Sequence, residues 1–587
     1  MASKQKLELV WVGKEKRARL EPRILIEDSA KSYHAAKRVS KDDIFDNMLI
    51  HGDNLLALKA LEQEYAGKVK CIYIDPPYNT GNAFEHYDDG IEHSLWLSLM
   101  RDRLEILRKL LCNDGFFCCH IDDSEGSYLK VLLDEVFGRD NYLSTLYVQV
   151  RYPDKTLKQD MVFHKEIEQI HIYRKEYGAT PILDRKERSF EKFNFYIKEK
   201  SHGKEIQIGK KKVIIFTSGE YEIIKGEGSK DGLKEIWATG TILDGNSSGR
   251  FFRDYLTGRY QEDGYGILYK VYGIGDDNLD YRYFTGPKKE GATKGKYFQG
   301  VPLDQLSDNA EAKTIPIENF IDLAGSFGNC RLEGNVDFRS GKKPEILIEK
   351  ILHHFSNKGD LVLDSFLGSG TTAAVAHKMG RRWIGIELGD HCDTHCAPRL
   401  KKVIDGEDQG GITKSVNWQG GGGFRYYNLA PSLIKFDEWG SPVINKQFDE
   451  HMLVRALCKI EGFDFDPSPD TYWKQGKSTE TDFIYITTQH LTAQMLTKLN
   501  EDVGQKNSLL ICCGSFDGNA ERYGNLTIKK IPKAILKKCE WNHDDYSLEI
   551  KNLPFAEPTP SQPAPAKKSF KKQKADKDQL DLFGENK

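Results

Sequence analysis

Four adjacent residues in this chain can act together on a substrate: Asp75, Pro76, Pro77 and Tyr78, at the end of the apolar run Cys71-Ile72-Tyr73-Ile74. β-branched and aromatic residues running into a carboxylate and two prolines predict a buried parallel strand that ends in a rigid loop. Neither proline has an N–H to donate, and Pro77 drives Pro76 toward an extended backbone. The loop therefore presents the Asp75 carboxylate, the Pro76 carbonyl and the Tyr78 ring in a nearly fixed arrangement. An exocyclic amine on a nucleobase is planar, with its lone pair delocalised into the ring, and must become more pyramidal to attack a methyl group. Asp75 and the Pro76 carbonyl favour that change by accepting one N–H each. Tyr78 offers a flat face to a base that has left its stack, and such stacking is worth about 1–3 kcal/mol per base. The same residues also suit a plain strand end with a proline turn, so the rest of the chain must decide.

A second chemical stretch is Asp364-Ser365-Phe366-Leu367-Gly368-Ser369-Gly370-Thr371-Thr372, between the apolar run Leu361-Val362-Leu363 and an alanine-rich helix. Glycines at a strand-to-helix turn let the backbone approach a ligand closely. The next strand, Trp383-Ile384-Gly385-Ile386, ends in Glu387, a carboxylate placed to take ribose hydroxyls. The run Gly368 to Ala373 also fits G-x-G-x-x-A, so a nicotinamide dinucleotide competes with other nucleoside cofactors here. Asp53 or Asn54 precedes Leu55, Leu56, Leu58 and Leu61 at helical spacing and reads first as a helix cap. His391, Cys392, His395 and Cys396 are neighbours on one predicted helix. A structural zinc draws its ligands from separate turns, so no metal site is expected there.

The elements that must hold these residues alternate. Met48–Ile50, 69–74, 116–121, 143–150, 166–173, 361–364 and 383–387 read as strands. The segments after Asn54, around 93–111, after Asp122-Asp123-Ser124 and from Pro344 to Phe355 read as helices. Strand and helix in alternation with short connections predict a parallel sheet with covering helices. Asp122-Asp123-Ser124 is expected to cap its helix, Gly115 to separate helix from strand, and Gln419-Gly420-Gly421-Gly422-Gly423-Phe424 to form a hinge or turn.

The length of 587 residues is too great for one core. An arm is expected at 1–46, the two halves of a catalytic domain at 47–174 and 316–430, an insertion at 175–315, a further α+β domain at 431–553 and a disordered tail at 554–587. The insertion interleaves Lys210-Lys211-Lys212, Arg250, Arg253, Arg259 and Lys294-Gly295-Lys296 with tyrosines and phenylalanines, a pattern that suits phosphates and bases. With a net charge of −3, any nucleic-acid surface must be local. The 39% hydrophobic and 29% charged residues suit a globular chain. No run reaches the roughly 18 apolar residues of a membrane span, and no signal-peptide core precedes residue 46. The 11 cysteines form no paired framework, so reduced thiols and a cytoplasmic location are expected.

Asp75-Pro76-Pro77-Tyr78 first, and Phe366-Leu367-Gly368-Ser369-Gly370 much later, with a block between them, resemble the β-class of DNA amino-methyltransferases. Gly52-Asp53-Asn54, Lys343-Pro344-Glu345 and the stretch from Arg399-Leu400-Lys401-Lys402-Val403-Ile404 to Phe424-Arg425-Tyr426-Tyr427 are similar to modification subunits of type III restriction systems. The resemblance covers about 45–175 and 325–430. It implies an α/β fold, a circularly permuted Rossmann-like methyltransferase sheet with its cofactor half last. It also implies that Asp75, Pro76, Pro77 and Tyr78 hold the target base, and that Asp53, Asp364, Phe366, Gly368, Gly370, Thr371 and Glu387 hold S-adenosyl-L-methionine, Asp53 near its adenine. The implied reaction is N6-methylation of a flipped adenine in double-stranded DNA, by a homodimer that pairs with a helicase–endonuclease subunit. An NAD-linked oxidoreductase and a non-catalytic DNA-recognition module remain as alternatives. Gln579-Leu580-Asp581-Leu582-Phe583 is similar to peptides that bind the bacterial replication sliding clamp.

Overall fold

The computed structural model describes residues 8–78, 93–153, 163–186, 189–238, 247–275, 277–290, 294–306, 313–338 and 341–547. The expected tail and its Gln579–Phe583 motif lie outside the described residues, as does most of the segment from Arg151 to Lys158. The chain divides into two compact units. One holds 180–321 with 353–355, and the other holds the remaining described residues.

In the larger unit one sheet carries the candidate site. Ten of its 11 strands are β1 (Leu25–Glu27), β2 (Tyr33–His34), β3 (Asn47–His51), β4 (Val69–Ile74), β5 (Leu111–Ile121), β6 (Tyr142–Gln149), β7 (Ile167–Arg174), β8 (Leu361–Asp364), β9 (Arg382–Glu387) and β10 (Gly423–Leu429). They run β1-β10-β3-β9-β8-β4-β5-β7-β6, with β2 also on β10. From β10 to β5 all pairs are parallel. Antiparallel β1 and β2 flank one side and antiparallel β7 and β6 the other, so the sheet is mixed rather than wholly parallel. Tyr73, Ile74, Val362, Leu363 and Ile386 are at most 1% exposed, which is why these strands read as continuous apolar runs.

The chain proceeds from β4 outward to β5, and from β8 outward to β9 in the opposite direction. The carboxyl ends of β4 and β8 therefore flank a topological switch point, where open α/β sheets bind ligands. Asp75 follows β4, Asp364 ends β8, Glu387 ends β9, and Asp53 follows β3. The parallel register brings all four to one edge of the sheet.

Helix α1 (Asn54–Tyr65) begins as expected, with the Asp53 side chain accepting the Leu56 N–H. Helix α2 (His93–Leu110) passes directly into β5, which runs through Gly115 instead of starting after it. A Cβ at Gly115 would come 3.0 Å from the Val69 carbonyl on β4, so the glycine serves strand pairing, not separation. Helix α3 (Gly126–Phe137) is not capped by the acidic triplet. Asp122 Oδ1 accepts the Ser124 N–H at 2.9 Å, forming a local turn that competes with the cap. Helices α4 (Glu345–Phe355), α5 (Thr371–Lys378) and α6 (Ala397–Asp405) follow. The glycine run before β10 is a packed turn and not a hinge. Gly421 and Gly422 have φ of 105° and 77°, and a Cβ on Gly422 would lie 2.6 Å from the Ile44 carbonyl.

Past β10 a further sheet orders Asp464–Phe465, Gly476–Lys477, Asp482–Ile486, Ser508–Cys513 and Leu526–Lys530. Its last three strands are parallel, and helix Ala493–Val503 connects the first two of them. Cys512 and Cys513 lie in two different apolar clusters, as strand alternation requires. All eleven cysteines are free thiols, and all but Cys112 are buried. Among the described residues no helix is long and apolar enough to cross a membrane.

The smaller unit is built on an antiparallel sheet ordered Lys204–Ile208, Lys211–Phe216, Leu268–Tyr272, Tyr281–Thr285, Lys296–Gln299 and Lys234–Trp237. Phe251, Phe252, Phe284 and Tyr297 pack in its core. Several of its cations are held by carboxylates rather than standing free. Lys212 pairs with Glu205 at 2.8 Å, Arg253 with Asp254 at 2.7 Å, Arg259 with Asp263 at 2.6 Å and Lys296 with Glu235 at 2.6 Å.

Candidate active site

The loop after β4 is fixed from outside as well as by its prolines: Trp96 of α2 donates its indole N–H to the Pro77 carbonyl at 2.7 Å. Asp75 accepts from two groups. The Tyr78 hydroxyl donates to Oδ1 at 2.7 Å, and the Lys343 ammonium reaches Oδ2 at 2.9 Å. Lys343 also donates to the Tyr78 hydroxyl at 2.7 Å and lies 3.5 Å from Glu168 on β7. Glu168 in turn is 2.8 Å from His120 Nε2 on β5, and His120 Nδ1 is 2.8 Å from the Tyr73 hydroxyl on β4.

Burial would push the Glu168 carboxyl up, but Lys343 and His120 outweigh it and hold the group well below the usual carboxylate range. For Lys343, burial favours the neutral amine. The charges of Asp75 and Glu168 prevail and raise its pKa above that of a free lysine. Burial, and then the charge of Asp75, push the Tyr78 phenol well up. The arrangement is a buried cation facing two carboxylates, with a neutral phenol between them.

Across the switch point, the loop after β8 is shaped by its own chain. Gly368 and Gly370 have φ of 57° and 79°, conformations that favour glycine. The Gly368 N–H donates to Glu387 Oε2 at 2.7 Å. Glu387 Oε1 accepts from the N–H groups of Leu388 at 2.9 Å and Gly389 at 3.1 Å, and His391 Nε2 lies 2.9 Å away. Cys396 reaches the Gly368 carbonyl at 3.0 Å. His391 and Cys396, grouped by sequence as if for a metal, thus each touch the loop or the carboxylate that holds it. Gly385 faces Leu367, where an added Cβ would come within 2.6 Å of the leucine side chain.

Asp364 accepts the Phe366 N–H at 2.9 Å. Burial pushes its carboxyl up to about 7, despite a side-chain hydrogen bond from Thr372. The adjacent Ser365 hydroxyl is buried without a hydrogen-bond partner. A left-handed glycine loop, a carboxylate at the next strand end and an unpartnered hydroxyl just before the loop suit a nucleoside cofactor, so the residues present fit S-adenosyl-L-methionine. Asp53 is committed more fully than a simple cap. Its Oδ1 accepts the Leu56 N–H at 3.0 Å, its Oδ2 accepts the Tyr546 N–H at 3.0 Å, and Arg103 lies 3.5 Å away.

Behind the glycine loop runs a fully buried ionic chain. Arg399 donates to Thr371 Oγ1 at 2.8 Å and to the Ser369 carbonyl at 3.2 Å. It also pairs with Glu345 at 2.7 Å. Glu345 binds Lys378 at 2.7 Å, and Lys378 binds Asp408 at 2.7 Å. Glu345 is two residues from Lys343, so the start of α4 serves both the glycine loop and Asp75.

Sequence reasoning did not single out Lys343, Glu345, Arg399, Glu168 or His120 as site residues. Signals existed for two of them. His120 is a polar residue inside the apolar run that pairs with β4, and Glu168 is a carboxylate in a strand whose Ile170, Ile172 and Tyr173 are buried. Charged residues inside buried strands mark sites or paired networks.

The model of the DNA methylase family matches residues 69–394, more than half of the chain. The chain belongs to the DNA methylase family. Its relatives there include the probable type III restriction-modification enzyme HindVI Mod subunit of Haemophilus influenzae. That protein is 35% identical over 441 residues, covering 69% of this chain and 56% of the relative. The type III restriction-modification enzyme EcoPI Mod subunit of Escherichia phage P1 is 28% identical over 425 residues, covering 64% and 62% respectively. This family member therefore spans between half and two thirds of the length of these two curated relatives. Among solved structures, the cytosine-N4-specific PvuII DNA methyltransferase aligns over 66% of this chain and 94% of its own, at 13% identity and a TM-score of 0.31.

Proposed function

We propose that this chain methylates N6 of an adenine that has been flipped out of double-stranded DNA, with S-adenosyl-L-methionine as methyl donor. The observation that carries the reading is the juxtaposition at the switch point. The Asp75-Pro76-Pro77-Tyr78 loop stands beside the glycine loop of β8, with the Asp75 carboxylate held by Tyr78 and Lys343. Asp364, Phe366, Gly368, Gly370, Thr371 and Glu387 would hold the cofactor. Bound there, it supplies a methyl group on a positively charged sulfur. Asp75 and the Pro76 carbonyl take the two N–H groups of the target amine and favour its pyramidal form. Tyr78 stacks on the base, and Asp75 receives the proton that the methylated amine must lose. The choice of adenine follows the aspartate at the first motif position, as in the family the motif resembles.

In this reading residues 175–315 select the DNA sequence. Contacts with phosphates would replace the local pairs of Lys212, Arg253, Arg259 and Lys296. The relatives are named as subunits of restriction-modification enzymes, which supports a restriction partner for this chain; assembly as a homodimer in the cytoplasm is a further part of the proposal. Single-molecule sequencing of DNA from cells that express the protein should show N6-methyladenine at one short motif. N4-methylcytosine, or no modified base, refutes the reading. A chimera carrying a relative's 175–315 should change the motif and keep the atom.

The tail motif Gln579-Leu580-Asp581-Leu582-Phe583 extends the proposal to the replication sliding clamp. A short apolar motif on a tether docks at the cost of ordering few residues and raises the local concentration of enzyme at new DNA. A peptide of residues 570–587 should bind purified clamp and lose binding when Leu582 and Phe583 become alanine. Absence of binding by the unaltered peptide refutes this partner.

A further inference from the structure

We propose that Lys343 is a positioning residue for the methyl transfer, bridging Asp75 and Glu168 so that both carboxylates stay in place and Asp75 keeps one oxygen turned toward the target amine. The inference rests on the function proposed above. Its geometry does not: Lys343 Nζ lies 2.9 Å from Asp75 Oδ2, 3.5 Å from Glu168 Oε2 and 2.7 Å from the Tyr78 hydroxyl.

The division of labour on Asp75 gives the argument its direction. In the structure Tyr78 occupies Oδ1 and Lys343 occupies Oδ2. A tyrosine that turns its ring to stack on a base withdraws its hydroxyl from Oδ1, and that oxygen becomes the acceptor for the amine. Lys343 is then the anchor that stops the carboxylate from rotating. It also lies 4.8 Å from the Tyr78 ring centroid, so it accompanies the ring as well as the carboxylate.

Charge gives the second argument. Asp75 and Glu168 both contact the Lys343 ammonium and the Tyr78 hydroxyl, and two carboxylates sharing one site do not both ionise without a cation. Of the other groups around them, His120 contacts Glu168 from β5, and Tyr73 bonds to His120. Arg151 acts on Glu168 through its field. Asp364, from β8, whose carboxyl burial pushes up to about 7, adds negative charge near Asp75 only as the pH approaches and passes that value, and Cys119 is a buried thiol whose pKa burial raises well above the usual value. Among the described residues, Lys343 is the cation recorded in contact with both carboxylates.

The test compares Lys343→Met, Lys343→Arg, Glu168→Gln and the double variant K343M/E168Q in the full chain, in methyl transfer and in thermal unfolding, between about pH 5 and about pH 8. For K343M, kcat should fall by about 100-fold or more, cofactor binding should stay near the wild-type level, and the acidic limb of the pH–rate profile should move to higher pH. Its loss of Tm should grow as pH rises, because two facing carboxylates repel most when both are ionised. In the double variant the facing charge is gone, so the acidic limb and the pH-dependence of Tm should return toward wild type. K343R should retain part of the rate. A purely structural lysine predicts a Tm loss that is flat with pH and persists in the double variant; that outcome overturns the proposal. The Tm arm decides even if the wild-type protein methylates no DNA, a result that would sink the proposed function instead.

Discussion

Asp75→Ala should abolish the proposed methyl transfer and leave cofactor binding close to the wild-type level. In the proposed reaction the carboxylate takes an N–H from the target amine, and removing one such preorganised acceptor costs about 10²–10³ in rate. The loss should exceed that range here, because the same substitution strips Lys343 and the Tyr78 hydroxyl of the partner they share. Lys343 would be left with Glu168 as its one contacting carboxylate, and the Tyr78 hydroxyl would keep only Lys343 at 2.7 Å and Glu168 at 3.3 Å. The glycine loop has its own supports in Glu387, Cys396 and Arg399, none of which touches Asp75. Methyl transfer and equilibrium binding of S-adenosyl-L-methionine should be measured on the same preparation. Turnover within about tenfold of wild type, less than the loss of one acceptor predicts, removes Asp75 from the role assigned to it.

Glu345→Ala should be the most destabilising single change near the site. Glu345, Lys378 and Arg399 have fully buried side chains, with both cations 2.7 Å from the one carboxylate. Truncating the glutamate leaves Lys378 with Asp408, and leaves Arg399 with neutral hydrogen-bond acceptors and the field of Glu333. Breaking a buried ion pair by removing one partner costs about 3–5 kcal/mol, because a charge remains that water cannot reach. The Ile412 N–H loses an acceptor at 3.1 Å as well. The damage extends to function, since Arg399 holds the Ser369 carbonyl and Thr371 Oγ1 of the glycine loop. Denaturant unfolding should report the stability loss, and cofactor binding should weaken in the fraction that still folds. A loss below about 1 kcal/mol would place the chain among networks that relax around a missing charge.

The sequence made the central strands of the sheet easier to read than the middle of the site. β4, β8 and β9 stand out because strands buried on both faces are continuous apolar runs, and the carboxylates that follow them are then visible by contrast. The parallel alignment places Asp75 beside the glycine loop with no further information. Lys343 was harder. It precedes a helix in a stretch of mixed charge, and its partners are 268 and 175 positions away in sequence, at Asp75 and Glu168. Pairing at such separation follows from the fold and leaves no local spacing to detect. The acidic triplet before α3 misled for the opposite reason. Asp122 and Ser124 have the right types for a cap, but a tighter local turn captured them first. The glycines at 420–422 suggest mobility by composition alone, yet their positive φ values serve a close passage beside the Ile44 carbonyl.

The interleaving of the main sheet also sets a timetable for synthesis. β3 is made early but lies between β9 and β10, and β4 lies beside β8. On a ribosome adding about 5–20 residues per second, β3 waits roughly 15–65 s after residue 51 before its neighbour beginning at residue 382 even exists. Through that interval the apolar residues Met48, Leu49 and Ile50 have no lasting partner strand. The intervening unit of 180–321 has its own core and can close on local pairings in the meantime. The nascent chain thus carries a module that can finish folding while β3 and the β8-facing edge of β4 stay unpaired, the kind of intermediate that binds chaperones and aggregates when crowded. Slow growth temperatures, or a chaperone present during translation, become conditions for yield that the stability of the finished protein would not suggest.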